Sequence, residues 1–172
     1  LGAGYFRITH IEVTGAALID ADEIGRATGL VGHNSYDVDL VAAQQAVAQM
    51  PGIRQAVVER TWPRTIRVTV EERRPVLVWE IGTTGYAVDS EGIVLDAVPD
   101  PKMLVIHQLD GVPGLRAGER VDADTIALAL KLRDAAPAAI GQQIVRFDWT
   151  RRAGLEVATD TGAKVRLGDS AD

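Results

Sequence analysis

The sequence predicts an α+β protein in two modules: a β-α-α-β-β unit over residues 1–74, then a mainly antiparallel β unit with one helix over residues 75–172. Three observations carry that prediction. In residues 65–71, TIRVTVE, the apolar Ile66, Val68 and Val70 alternate with Thr65, Arg67, Thr69 and Glu71, the period of a strand with one buried face. Ahead of it lie two stretches whose apolar residues recur every three or four positions. Beyond Pro75 come short strand-like runs separated by glycine-containing turns.

Residues 5–14, YFRITHIEVT, read as the first strand. Phe6, Ile8 and His10 share one side, and Ile11 and Val13 follow after a slip in parity that predicts a bulge. Gly15 ends the run. Asp20 with Glu23 three residues later is an acidic form of the capping box; it introduces Ile24, Ala27 and Val31 as a short helix ending near Gly29 or Gly32. After the loop GHNSYDVD, Leu40, Ala43, Val47 and Met50 predict an amphipathic helix stopped by Pro51 and Gly52. Residues 54–60 and 65–71 then form a hairpin across TWPR, with Pro63 in the turn and the arginines toward water. Both helices fit over one face of this three-stranded sheet, which leaves the other face partly bare.

Pro75 marks a seam, because proline in sheets is confined to edges and strand starts. Residues 76–81, 86–88 and 93–95 predict a meander linked by GTTG and by DSEG, where Asp89 and Gly92 take the first and fourth positions of a type I turn. Residues 103–109 add an apolar strand and GVPGLRAGERVD a loop. A helix starts at Asp124, carries Ile126, Leu128, Leu130 and Leu132, and ends at Pro137. Residues 143–149, 155–159 and 163–167 supply the remaining strands, the last two joined by Asp160, Thr161 and Gly162.

At 172 residues and 47% hydrophobic content the chain has ample material for packed cores. Its net charge of −6 argues against a nucleic-acid partner held by counterion release and against a polybasic patch on anionic lipid. The arginine-rich stretch VERTWPRTIRVTVEERRPVLVWE is no exception. Arg60, Arg64, Arg67, Arg73 and Arg74 are offset by Glu59, Glu71, Glu72 and Glu80, so it reads as a solvated hairpin rather than a phosphate-binding ribbon. The absence of cysteine removes disulfides, thiolate catalysis and zinc–thiolate sites. No window approaches the roughly 20 apolar residues of a membrane span, and LGAGYFRITH lacks the charged and apolar regions of a signal peptide. The sequence as it stands predicts a soluble chain.

Catalytic chemistry finds few candidates. His10, His33 and His107 lack metal-ligand spacing, and none of Ser35, Ser90 and Ser170 stands in a nucleophile elbow. Glu71 and Glu72 are adjacent on a strand and point to opposite faces. GLVGHNS lacks the ending of a Walker loop and reads as a helix stop. Trp62, Trp79 and Trp149 read as caps on two small cores more readily than as binding anchors. No catalytic, cofactor or metal residue is predicted. What remains is the backbone, since small sheets with exposed edges accept a partner strand.

The residues also resemble a known family. FRITHIEVTGAALIDADEIGRATGL, and AVAQMPGIRQAVVERTWPRTIRVTVEERRPVLVW after it, resemble the POTRA domain of the FtsQ/DivIB cell-division proteins. The similarity continues through YAVDSEGIVL and GLEVATDTGAKVRLG. Its most specific portion is Arg60, Trp62, Pro63, Ile66, Val68, Val70, Glu72, Arg73, Pro75 and Trp79, with an additional arginine at Arg74.

The resemblance implies a POTRA domain over residues 1–74 and a β domain over residues 75–172 that lacks the family's terminal helix and hairpin. It implies a non-enzymatic divisome scaffold, single-pass in the cytoplasmic membrane, with this portion on the extracytoplasmic side at the septum and the membrane helix outside the chain. The implied partners are an FtsB/FtsL-type coiled coil and septal peptidoglycan synthesis proteins, with no cofactor, nucleic acid or small-molecule substrate. The candidate contact residues are Glu59, Arg60, Trp62, Glu72 and Arg73 around the hairpin, and Lys164, Val165, Arg166 and Leu167 on a last strand left as an open edge. The competing expectation is a POTRA-type binding module of an outer-membrane assembly or secretion system.

Overall fold

Two helical patterns ahead of an alternating hairpin fold as two helices and a hairpin, but the first helix stops at Ala27 and leaves Val31, expected on its apolar side, 58% exposed in the loop beyond it. The structure is a computed structural model that describes residues 6–61 and 64–167. It divides into two compact units, Leu1–Arg73 and Arg74–Asp172.

The first unit contains β1 (His10–Thr14), α1 (Ala21–Ala27), α2 (Leu40–Ala48), β2 (Ile53–Thr61) and β3 (Thr65–Glu72). Asp20 caps α1 by accepting the Asp22 N–H, and Asp39 caps α2 by accepting the Ala42 N–H. The sheet order is β1-β3-β2, with β1 parallel and β2 antiparallel to the central β3. Ile24, Ala43 and Val47 from the helices meet Ala56, Val58, Ile66, Val68 and Val70 from the sheet in one core. The opposite face carries the alternate residues. There Arg67 lies in register between Glu12 and Glu59 and binds Glu12 at 3.1 Å, while Thr14 donates to Thr69 at 3.2 Å.

The first strand is shorter than its sequence pattern predicts. Residues 6–8 leave the sheet and pair with the loop after α1: the Ile8 N–H donates to the His33 carbonyl and the Gly32 N–H to the Ile8 carbonyl, both at 2.8 Å. Ile8 is thereby fully buried. The parity slip expected to be a bulge is a change of hydrogen-bonding partner.

The second unit contains β4 (Leu77–Ile81), β5 (Thr84–Val88), β6 (Leu104–Gln108), α3 (Ala123–Ile140), β7 (Ile144–Thr150), β8 (Gly154–Thr159) and β9 (Lys164–Arg166). They form one sheet in the order β5-β4-β6-β7-β8-β9. The β4–β5, β7–β8 and β8–β9 ladders are antiparallel, whereas β6 lies parallel to both β4 and β7. The expected meander is kept only in rudiment: residues 93–95 form no strand of this sheet, but Val94 bridges Val88 antiparallel and the Leu95 N–H donates to the Ala87 carbonyl at 2.9 Å, while Ile93 bridges Arg120. The DSEG turn does form. Gly92 donates to the Asp89 carbonyl at 3.1 Å and adopts φ +80°, and the buried Asp89 carboxylate accepts the Glu91 and Ile93 N–H groups.

Pro137 does not end α3, a second correction. A proline removes its own N–H, and its carbonyl stays available; here it accepts the Gly141 N–H at 3.2 Å and the helix runs one turn further. Ile126 and Ala129 of α3 cover the sheet over Trp79, Ile106, Phe147, Leu155 and Val157. Trp79 is 1% exposed. Its indole N–H donates to Gln108 Oε1 at 2.7 Å, and its ring meets Trp149 edge-on at 5.2 Å. Trp79 thus lies within the core rather than capping it, and Trp149 packs against that core partly buried. Trp62 lies outside the described residues.

Candidate interaction edges

A strand at the edge of a sheet keeps half of its backbone donors and acceptors turned outward, so bonding parity decides which residues are available to a partner. In the last ladder the Leu167 N–H donates to the Leu155 carbonyl and the Thr159 N–H to the Ala163 carbonyl, each at 2.9 Å. Bonded pairs alternate with non-bonded ones, so Val165 also faces β8 while the backbones of Lys164 and Arg166 point away from the sheet. The side chains alternate as well. Val165 and Leu167 lie on the face of Val157 and Leu155, yet they remain 47% and 38% exposed because they lie outside the core that α3 covers. Arg166 extends the other face and reaches Glu156 at 3.3 Å.

That other face carries a row of charge. Glu80, His107, Asp148, Glu156 and Arg166 stand in register on β4, β6, β7, β8 and β9. His107 Nδ1 meets Glu80 at 2.7 Å, and Arg146 Nε bridges both Asp148 oxygens at 2.8 Å. The hydrogen bond to Asp148 holds the Arg146 guanidinium above its ordinary pKa, with the Asp148 charge adding to it. Paired in this way, these groups make a solvated polar face beside the open edge.

The hairpin residues divide between two environments. Glu59 is exposed on the open face of the first sheet, opposite Arg67, and Arg60 lies partly buried on the helix face with its Nε lacking an acceptor among the described residues. Glu72 and Arg73 are partly buried at the end of β3. The Glu72 carboxylate accepts the N–H groups of Leu18 at 2.9 and 3.0 Å and of Ile19 at 2.8 Å, and so fastens the β1–α1 loop to β3. The Arg73 N–H donates to the Gly52 carbonyl at 2.8 Å. Glu71, on the opposite face as expected, reaches Arg54 at 3.2 Å. Charge-assisted hydrogen bonds of this kind contribute about 1.5–3 kcal/mol when sheltered, and partial exposure reduces that. Glu72→Ala is expected to cost about 1–2 kcal/mol, read as a lower urea midpoint with an unchanged slope.

Two family models match the chain in tandem: a POTRA domain of the FtsQ type over residues 6–73, and the C-terminal region of the cell division protein FtsQ/DivIB over residues 77–172. The chain belongs to the FtsQ/DivIB family. It is 30% identical over 171 residues to the cell division protein FtsQ of Chloroflexus aurantiacus, covering 96% of this chain and 61% of the relative. With FtsQ of Chloroflexus aggregans it shares 28% over 176 residues, covering 99% and 63%. With the cell division protein DivIB of Clostridium acetobutylicum it shares 28% over 109 residues, covering 63% and 44%. The chain thus spans less than two thirds of the length of these FtsQ/DivIB relatives. Among the described residues no helix is long and apolar enough to cross a membrane.

Proposed function

We propose that this FtsQ/DivIB chain is the extracytoplasmic part of a single-pass membrane protein that acts in the divisome as a non-enzymatic scaffold. Its partners in this reading are an FtsB/FtsL-type coiled coil and the septal peptidoglycan synthesis proteins. The observation that carries it is the β9 edge, which no other described strand covers, in a chain matched by the two FtsQ-type models: Lys164 and Arg166 turn their backbones outward, and Val165 and Leu167 offer apolar side chains beside them. Such an edge binds an extended segment through main-chain hydrogen bonds, while alternate side chains select it. The family match over residues 77–172 favours this reading over a module of an outer-membrane assembly or secretion system.

Proline at position 166 tests the edge. The Arg166 N–H faces outward, so Arg166→Pro leaves the β8–β9 ladder intact while removing a donor to an incoming strand. Binding of the purified chain to the FtsB-type protein of the same organism is expected to weaken at least tenfold, with thermal unfolding nearly unchanged. Full-length protein carrying a fluorescent label is expected to concentrate at the septum, and depletion to block septation. A diffuse label, or septation that continues after depletion, would overturn the proposal.

A further inference from the structure

Inside the second sheet, the ladder between β6 and β7 stops short. The two strands begin at Leu104 and Ile144, yet their pairing begins only at Ile106 and Phe147. A bulge between Ile144 and Arg146 marks the point where β7 stays with β8 and departs from β6, while β6 remains paired with β4 as far as Leu104. Where the strands part, a groove of about 380 Å³ opens, its apolar lining supplied by Met103, Leu104, Ile144, Val145 and Phe147. Val145 is 63% exposed there. The Leu109 N–H donates to the Trp149 carbonyl, so odd-numbered β6 residues turn their backbones toward β7. The Val105 N–H therefore points toward β7 just beyond the last bonded pair and meets no acceptor among the described residues.

Charge determines what this opening would take. The ionisable side chains that line it are Lys102, His107 and Arg133, with no carboxylate among them, although the whole chain carries a net charge of −6. His107 is held by Glu80 at 2.7 Å. Lys102 is placed by Asp100, whose carboxylate accepts its N–H at 2.8 Å, and its ammonium forms no ion pair among the described residues. Arg133 comes from α3; its Nε binds Asp134 at 2.7 Å, which leaves the terminal amino groups for another acceptor. Two cations are too few for nucleic acid, whose binding rests on neutralising many phosphates. A small inorganic anion would leave the apolar floor bare. The volume is at the low end of the roughly 300–1,000 Å³ of ligand clefts, which suits a few side chains of a peptide.

From this complementarity we propose that the gap between β6 and β7 is a docking groove for an extended acidic and apolar segment of a protein partner. A carbonyl of that segment accepts the Val105 N–H, an apolar side chain lies on Leu104 and Val145, and a carboxylate lies against Lys102 and Arg133. Main-chain bonding of this kind supplies affinity while the flanking side chains select the sequence. The groove is separate from the β9 edge, which lies beyond β8 in the same sheet, and the proposal does not depend on that edge being occupied. Because both cations are exposed, binding weakens as salt is raised.

The test is a random-peptide library displayed on phage and panned on the purified 172-residue chain. Enriched peptides are expected to carry Asp or Glu beside Leu, Ile or Phe, and their synthetic versions to shift the Val105 amide in NMR spectra of the labelled chain. Reversing both charges, with Lys102→Glu and Arg133→Glu together, is expected to weaken binding about tenfold or more. Thermal unfolding should stay nearly unchanged, since the only ion pair lost is the exposed one with Asp134. Val145→Asp is expected to weaken binding similarly, which serves if the double variant is poorly folded. Lys102→Arg should retain binding, and Arg166→Pro at the β9 edge should leave it unchanged. No enrichment, enrichment of peptides without acidic residues, or binding that survives both the charge reversal and Val145→Asp would overturn the proposal. So would a set of peptides that all lose binding with Arg166→Pro, since these would belong to β9.

Discussion

Replacing Trp79 with alanine is expected to unfold much of the second unit at physiological temperature. Burial of a large aromatic side chain is worth about 3–5 kcal/mol when truncated to alanine, because transfer and cavity contributions add. That is a large part of the roughly 5–15 kcal/mol that holds a domain together. Trp79 is almost wholly buried, and its removal also strands Gln108 Oε1 and deprives Trp149 of its edge contact. A thermal midpoint of the second unit lower by at least 10 °C, with the first unit's transition unmoved, is the expected calorimetric result. Trp79→Phe should recover roughly half of the loss, since it restores ring volume without the indole donor. An unchanged midpoint in Trp79→Ala would show that the core tolerates the cavity and that Trp79 does not organise it.

Gly15→Ala is expected to be comparably damaging in the first unit. Gly15 follows β1 at φ +87°, a left-handed conformation that costs a residue with a Cβ about 1–2 kcal/mol. A Cβ there would also overlap the carbonyl oxygen of Val70, which is backbone of the central strand and has nowhere to retreat. Forced overpacking adds about 1–3 kcal/mol. Urea unfolding of the first unit should therefore shift to a markedly lower midpoint. Gly29→Ala provides the comparison, since Gly29 also has positive φ but an added Cβ there meets nothing. If both variants fall equally, the overlap with Val70 contributes nothing.

The local elements were legible where a single period repeats without interruption. Ile66, Val68 and Val70 alternate and are buried; Ala43 and Val47 recur at helical spacing and are buried. The sequence pattern gave less where the chain changes partner. Phe6, Ile8 and His10 share one parity, but that parity belongs to a segment clipped onto the loop at Gly32 and His33, which no local pattern announces. The place of β6 is similar: an apolar run between two loops reads as a strand, yet its insertion beside β4 in parallel depends on residues far apart in the chain. Pro137 was misleading because it falls where only one intrahelical donor is lost and Gly141 ends the helix anyway.

The candidate edges were legible only in part. A charged, β-branched last strand is visible in KVR, but which of its backbones face outward follows from the register against Glu156, Val157 and Ala158. For Glu72 the family run singles out the residue, whereas its partners, the N–H groups of Leu18 and Ile19, stand 54 and 53 positions away. The hydrogen bond that the Val58 N–H donates to the side-chain oxygen of Gln44 at 3.2 Å has no sequence signature, since glutamine on a helix is ordinary.

The order β1-β3-β2 also determines how the first unit bears mechanical load. The chain enters through β1, leaves through the central β3, and these two strands run parallel. Tension between the entry point and the connection to β4 therefore pulls neighbouring strands from opposite ends, in shear. Every hydrogen bond of the β1–β3 ladder must then give way together, instead of one at a time as in a peeled hairpin. The first unit, pulled between its two ends, would hold its shape under such a load.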